Sequence, residues 1–249
     1  MTAATAALDD PRRLRFASGG RGLFDVILAV FCGLLLISNI GATKLIEFTG
    51  VPLVGSLITD GGALLFPLTY VLGDVLAEVY GLAKARRAIL TGFALAAVMS
   101  LSFLLVDAAP PASDWPNQAA WTAVLGFVPR IVVASLAGYL AGQFLNAWVV
   151  VAIKRRMREN SLWVRLVGST LVGEFADTLL FCSIAFGPLG TWLGGDAIGP
   201  WALLNYTLVG WVYKCAVEIV CLPITYRVIA WVKRREPDYY GPGRPSASS

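Results

Sequence analysis

The chain has 249 residues, 57% of them hydrophobic and only 14% charged, with a formal net charge of +4. Soluble domains carry about 25% charged residues, so this balance points to a polytopic membrane protein and excludes a large soluble core. The sequence contains no histidine, which removes His-based acid–base catalysis, the Ser-His-Asp triad, imidazole-dependent zinc sites and histidine-ligated haem.

Residues 1–22 are rich in Ala, Asp and Arg and lack an apolar core, so they read as a cytoplasmic tail. No signal peptide is expected, because the first apolar run is long and no small-residue cleavage site follows it. Six apolar spans then follow over residues 23–233: Leu23–Ile40, Ala63–Tyr80, Ala88–Val106, Ala123–Ile153, Val164–Gly187 and Trp201–Val232. The short apolar stretch VPLVGSLI, between the first two, reads as re-entrant or interfacial. Residues 234–249 are rich in Pro, Gly and Ser and are expected to be disordered. The fold class expected is all-α: an integral membrane bundle of six transmembrane helices.

Basic residues set the expected orientation. Arg12, Arg13, Arg15 and Arg21 precede the first span, and Lys84, Arg86 and Arg87 follow the second. Lys154, Arg155, Arg156, Arg158 and Arg165 surround the gap between spans four and five, and Lys233, Arg234, Arg235 and Arg244 follow the sixth. The alternate connections hold only Lys44, with Glu47, Asp60, Asp107, Asp114 and Asp196. The positive-inside rule therefore places both termini in the cytoplasm of a multi-pass protein of the inner (plasma) membrane. Trp115, Trp121, Trp192 and Trp201 fall near the outer span ends and suit an interfacial aromatic belt. Cys32, Cys182, Cys215 and Cys221 lie in apolar runs without C-x-x-C spacing and read as buried free thiols.

The candidate site residues are those a bilayer would reject. In FPLTYVLGDVLAEVYG, helical periodicity puts Phe66, Tyr70, Asp74, Ala77, Glu78 and Gly81 on one face. A carboxylate at the bilayer centre costs about 2.5–3.5 kcal/mol even on the lenient insertion scale, so this face must meet protein or water. Glu78, near the cytoplasmic end, has a second reading: it snorkels outward or pairs with Lys84 or Arg87. Span five repeats the pattern in GSTLVGEFADTLLF, where Thr170, Glu174, Asp177 and Phe181 share a face flanked by Ser169 and Thr178. A structural role for those acids would need basic partners, with Arg130 and Lys214 as candidates. In span six, Lys214 and Glu218 at i, i+4 either pair within the helix or leave Lys214 to reach Asp177 or Asp74 across the bundle.

Span four carries Arg130, Ala134, Gly138, Gly142 and Asn146 at successive i+4 positions, and GYLAG reads as a helix-packing face. Gln143 and Asn146 are placed to donate hydrogen bonds into the interior, and Ser38, Asn39 and Lys44 form a polar end to span one. Seven inward ionisable residues on four spans (Asp74, Glu78, Arg130, Glu174, Asp177, Lys214 and Glu218) imply a polar cavity near mid-membrane, the signature of a pathway for a polar solute. Phe66, Tyr70, Phe181, Tyr206 and Tyr213 supply aromatic planes beside it, which suits a flat, hydrogen-bonding heterocycle. Acidic pairs on the middle helix of each half hint at an inverted three-plus-three repeat.

Five ordered motifs carry a resemblance: SNIGATK, FPLTYVLGDVLAEVYGLAKARR, PRIVVASLAGYLAGQ, GSTLVGEFADTLLFCSIAF and YKCAVEIVCLPITY. Together they resemble the vitamin uptake transporter family, also called the queuosine precursor transporters, over nearly the whole membrane region. The resemblance implies a six-helix bundle similar to the substrate-binding components of energy-coupling-factor importers. It also implies import of 7-cyano- or 7-aminomethyl-7-deazaguanine. Carried over by position, it implies Asn39, Tyr70, Asp74, Glu78, Arg130, Gln143, Asp177 and Lys214 as site residues. Two positions depart from the family pattern: Asn146 stands where Asp is usual, and Glu174 where Gln or Asn is usual.

In the binding scheme expected, Asp177 or Glu174 grips a guanine-like edge, Tyr70 or Phe181 stacks on the ring, and Arg130 and Lys214 hold the acids ionised. The competing functions are an intramembrane enzyme using the paired carboxylates, a non-transporting scaffold, and a transporter of a different small heterocyclic vitamin. Neither H-E-x-x-H nor a Ser/Lys or Cys/His arrangement supports the enzyme. No catalytic residue, metal, cofactor or nucleic-acid partner is expected. The absence of G-x-x-x-x-G-K-[ST] leaves energy coupling open among an ion gradient, facilitated entry with metabolic trapping, and a borrowed ATPase module. Whether a second copy of the chain is a partner is equally open.

Overall fold

A computed structural model describes residues 22–52, 55–157, 162–193 and 196–236. The two expected tails therefore fall almost wholly outside the described residues, as do Arg158 and the side chains of Phe66, Lys154, Arg155, Arg156, Arg165 and Ser169.

The first helix, α1 (Phe24–Gly41), is followed by an antiparallel hairpin of β1 (Leu45–Val51) and β2 (Gly55–Asp60), with Leu45 opposite Asp60 and Glu47 opposite Ile58. This hairpin corrects the purely helical expectation: within VPLVGSLI, Val51 closes β1 and Gly55–Ile58 open β2 of a two-stranded sheet. Gly50 and Gly55 flank the turn at φ +76° and +79°, where a side chain would be strained. A 3₁₀ turn over Gly61–Leu64 leads into α2 (Phe66–Tyr80), with Pro67 in its first turn. At 15 residues α2 is about 22 Å long, short of the hydrocarbon core of about 30 Å. Gly81, at φ +85°, is the entire connection to α3 (Leu82–Ala108), so Lys84, Arg86 and Arg87 sit in the first turns of a helix rather than in a loop.

The expected fourth span is two helices, α4 (Gln118–Leu125) and α5 (Val128–Met157), broken at Gly126 and Phe127. They are followed by α6 (Leu162–Ala185), a 3₁₀ turn over Pro188–Leu193, and α7 (Pro200–Arg235). Among the described residues, four stretches are long and apolar enough to cross a membrane: Phe24–Gly41, Leu82–Ala108, Gln118–Asn146 and Pro200–Arg235. Their outward faces carry exposed Leu105, Phe144, Val220 and Trp201, a distribution that water would penalise and lipid accepts. The chain is a predominantly helical membrane protein.

Two polar clasps fix the ends of the bundle. At one end the Glu236 carboxylate, just past α7, accepts hydrogen bonds from the Leu23 amide at 2.7 Å and from the Tyr80 hydroxyl. Phe24, Ile27, Phe31, Val75, Val79 and Val232 pack into an apolar cluster beside it. At the other end Asp60 caps the 3₁₀ turn by accepting from the Gly62 and Ala63 amides, and takes a further hydrogen bond from the Tyr206 hydroxyl of α7. The hairpin is held to α7 a second time, by Asn205, which donates to Ser56 O at 2.8 Å and accepts from Ile58 N at 3.0 Å.

Candidate functional site

The site is built on the α5–α6 pair, and glycine makes the pair possible. A Cβ on Gly142 would come 2.9 Å from the Asp177 Cβ, and one on Gly138 would come 2.7 Å from Asp177 Oδ1. One on Gly173 would come 2.9 Å from the Asn146 Cβ. Small residues thus let the two backbones approach, as GYLAG predicts, and the same approach seats Asp177 and Asn146 at the helix interface. With α2 and α7 opposite, the helices enclose a cavity of about 550 Å³, large enough for a small heterocycle.

A three-member charge cluster lines it. Lys214 of α7 donates a hydrogen bond to Asp177 Oδ2 and lies 3.9 Å from Glu174 Oε2. The three side chains are 11%, 21% and 20% exposed, so the cluster is largely withdrawn from solvent. Lys214 therefore bridges to α6; of the readings open from the sequence, the cross-bundle reach to Asp177 is the one the geometry adopts. Tyr70 of α2 stands close enough to this ammonium to interact with its charge. Asp74 and Glu218, also lining the cavity, are within electrostatic reach of each other.

Nine of the eleven sequence-predicted site residues line this one cavity: Asn39, Tyr70, Asp74, Gln143, Asn146, Glu174, Asp177, Phe181 and Lys214. Asn39 is fixed in place by both ends of its amide: Nδ2 donates to Leu35 O at 2.8 Å and Oδ1 accepts from Ser135 Oγ at 3.1 Å. The Phe181 and Phe186 rings meet edge to face, with the planes at 72°.

Glu78 and Arg130 lie elsewhere. Glu78 accepts from Lys233 Nζ at 2.7 Å and is 56% exposed, an ion pair at the end of the bundle where Glu236 sits. Neither Lys84 nor Arg87 is the partner in that pair; the one used comes from the far end of the sequence. Arg130 is fully buried outside the cavity. It donates to Ile184 O and Gly187 O, both at 2.8 Å, and its guanidinium lies 5.4 Å from the centre of the Phe127 ring. Carbonyls at and just past the C-terminus of α6, and not Glu174 or Asp177, accept these two hydrogen bonds. Of the two cations expected to hold the acids ionised, only Lys214 is placed beside them.

Sequence reasoning passed over Asp60, Ser135, Tyr139 and Arg86, which also line the cavity. Asp60 carried a legible signal: an acid immediately before two glycines and an apolar run is a helix-start pattern. Ser135, Tyr139 and Arg86 carry none, because only the approach of α3 to α5 brings them to the same space. Among the described residues, no group of three or more Cys, Asp and Glu side chains is arranged to hold a metal ion.

Comparison with known proteins shows the family. The family model described as "Putative vitamin uptake transporter" matches residues 60–228, from the end of β2 through most of α7. A protein of Bacillus subtilis named "Probable queuosine precursor transporter" is 32% identical over 212 residues, 84% of this chain and 83% of its own length. The Escherichia coli "Queuosine precursor transporter" is 29% identical over 171 residues, 69% of this chain and 72% of the relative. A Haemophilus influenzae "Probable queuosine precursor transporter" is 28% identical over 172 residues, 68% of this chain and 67% of the relative. No solved structure matches the chain. The chain belongs to the vitamin uptake transporter family.

Proposed function

We propose that the chain imports a queuosine precursor, 7-cyano-7-deazaguanine or 7-aminomethyl-7-deazaguanine, through the mid-membrane cavity. The observation that carries this reading is the largely buried Asp177–Lys214–Glu174 cluster inside a cavity of about 550 Å³. Buried acids and a cation facing an internal hollow have no packing role that an apolar contact could not fill at lower cost. They suit a solute that is flat and rich in hydrogen-bond donors. The names of the three relatives supply the chemical class. Membership of a transporter family leaves the intramembrane-enzyme reading without support.

The same reading makes the chain a six-span bundle of the inner membrane with both termini cytoplasmic, similar to the substrate-binding components of energy-coupling-factor importers. Its transporter domain is residues 23–233, between a cytoplasmic tail at 1–22 and a second at 234–249. The basic residues at the start of α3 and at the ends of α5 and α7 support that orientation. In this arrangement α2 reaches its full span by adding the hairpin and 3₁₀ turn before it. Asn39, Tyr70, Asp74, Gln143, Asn146, Glu174, Asp177, Phe181 and Lys214 receive the solute. Its partners are the small heterocycle and the lipid bilayer; an ATPase module or a second copy of the chain stands as an additional partner to be sought by co-purification.

The test is uptake of each labelled deazaguanine by cells that cannot make the precursor and lack their own importer. Expression of this chain restores uptake, and Asp177→Asn and Asp74→Asn reduce it at least tenfold, by an order-of-magnitude expectation for a lost charged contact. Uptake at the wild-type rate in both variants would end the proposal.

A further inference from the structure

Four buried side-chain polar atoms make no hydrogen bond among the described residues: Trp121 Nε1, Asn146 Oδ1, Glu174 Oε2 and Thr178 Oγ1. The last three line the cavity. Glu174 and Thr178 are one turn apart on α6, and Asn146 faces them from α5 across Gly173. Thr178 is 2% exposed, so its hydroxyl has no access to bulk water in place of a partner. Folded proteins rarely leave three such atoms together on one wall, because each gives up its hydration without recovering a hydrogen bond.

Asp177 differs from them. Its Oδ2 already accepts from Lys214, and its Oδ1 lies against Gly138. The ammonium is 3.9 Å from Glu174 Oε2, close enough to compensate charge and too far to fill that oxygen's hydrogen-bonding capacity. The two carboxylates therefore divide the work: one holds the cation, and the other retains an open oxygen.

We propose that Asn146, Glu174 and Thr178 form the acceptor wall that reads the donor edge of the transported heterocycle, with Asp177 serving to hold Lys214. The open carboxylate oxygen and the amide oxygen are acceptors, so the ligand edge they fit presents adjacent donors, a ring N–H beside an exocyclic amino group. A carboxylate or phosphate edge meets repulsion there. This assignment rests on the importer reading above and identifies the side chains that discriminate among its substrates.

The experiment is equilibrium binding to the purified full-length protein in lipid nanodiscs. Two probes are used: 7-cyano-7-deazaguanine and the analogue lacking the 2-amino group. Wild type binds the analogue roughly ten- to hundredfold more weakly, since its loss leaves a buried charged acceptor unpaired. Glu174→Gln lowers affinity for the parent and shrinks the discrimination to less than about threefold, whereas Asp177→Asn keeps it. Discrimination that survives Glu174→Gln, or that disappears in Asp177→Asn, overturns the assignment while leaving the importer reading in place. Wild-type protein that binds neither probe overturns the importer reading and the assignment together. Should Glu174→Gln fail to fold, as judged by thermal unfolding, the uncharged Asn146→Leu carries the test by the same loss of discrimination.

Discussion

Replacing Lys214 with Met keeps the length of the side chain and removes the cation, which isolates what its charge does. Asp177 and Glu174 then face each other's charge in a cavity where neither is more than about a fifth exposed. At 3.9 Å and an effective dielectric of about 20, the Lys214–Glu174 attraction alone is on the order of 4 kcal/mol before desolvation is counted. Breaking a buried ion pair by deleting one partner costs about 3–5 kcal/mol, because the remaining charge is left uncompensated. For a chain of this length each kcal/mol lowers the melting temperature by about 2–4 °C, so Lys214→Met should melt roughly 6–20 °C below wild type. Tryptophan fluorescence of the purified protein during heating reads the shift. The double variant Lys214→Met/Asp177→Asn returns the cluster to its original net charge of −1 and should recover most of the loss. A single variant melting with wild type, or a double variant less stable than the single, would refute the reasoning.

A bulky side chain at Gly142 tests the α5–α6 approach: Gly142→Leu pushes on the Asp177 Cβ, 2.9 Å from the position of a new Cβ, and should reduce uptake by at least tenfold. Gly33→Ala, with nothing within 4 Å of its new Cβ, is the control and should transport normally. Glu236→Ala removes the acceptor for Leu23 N and Tyr80 OH and should cost about 1–3 kcal/mol in unfolding measurements, with binding by the folded fraction unchanged. Glu78→Gln breaks a half-exposed pair with Lys233 and should leave uptake within about twofold of wild type; a tenfold loss would return Glu78 to the site.

The cavity residues were legible in the sequence to the extent that lipid forbids their alternatives. Tyr70 and Asp74 lie one turn apart on α2, and Glu174, Asp177 and Phe181 repeat the pattern on α6, so periodicity and the cost of a charge in hydrocarbon suffice to turn both faces inward. Arg130 misled because the same reasoning gives only an inward direction. An inward guanidinium can reach an acid or a carbonyl, and here the end of α6 offers two carbonyls at 2.8 Å. Glu78 misled because its nearest cations in sequence are not its nearest in space; its partner is 155 positions away. The hairpin was hidden within an apolar segment too short for periodicity to separate a strand from an interfacial loop.

What the sequence determined by itself is the solvent of the chain, the helical elements and the inward faces. These follow from local quantities: apolar content, the 3.6-residue repeat and the placement of basic residues. What only the tertiary structure decided is pairing: Lys214 to Asp177 across the bundle and not to Glu218 within its helix, Arg130 to backbone, and three acceptors left without donors on the cavity wall. Pairing depends on how closely two helices approach. Three glycines set that distance here, and its consequence for side chains several turns away is a property of three dimensions that no local pattern encodes.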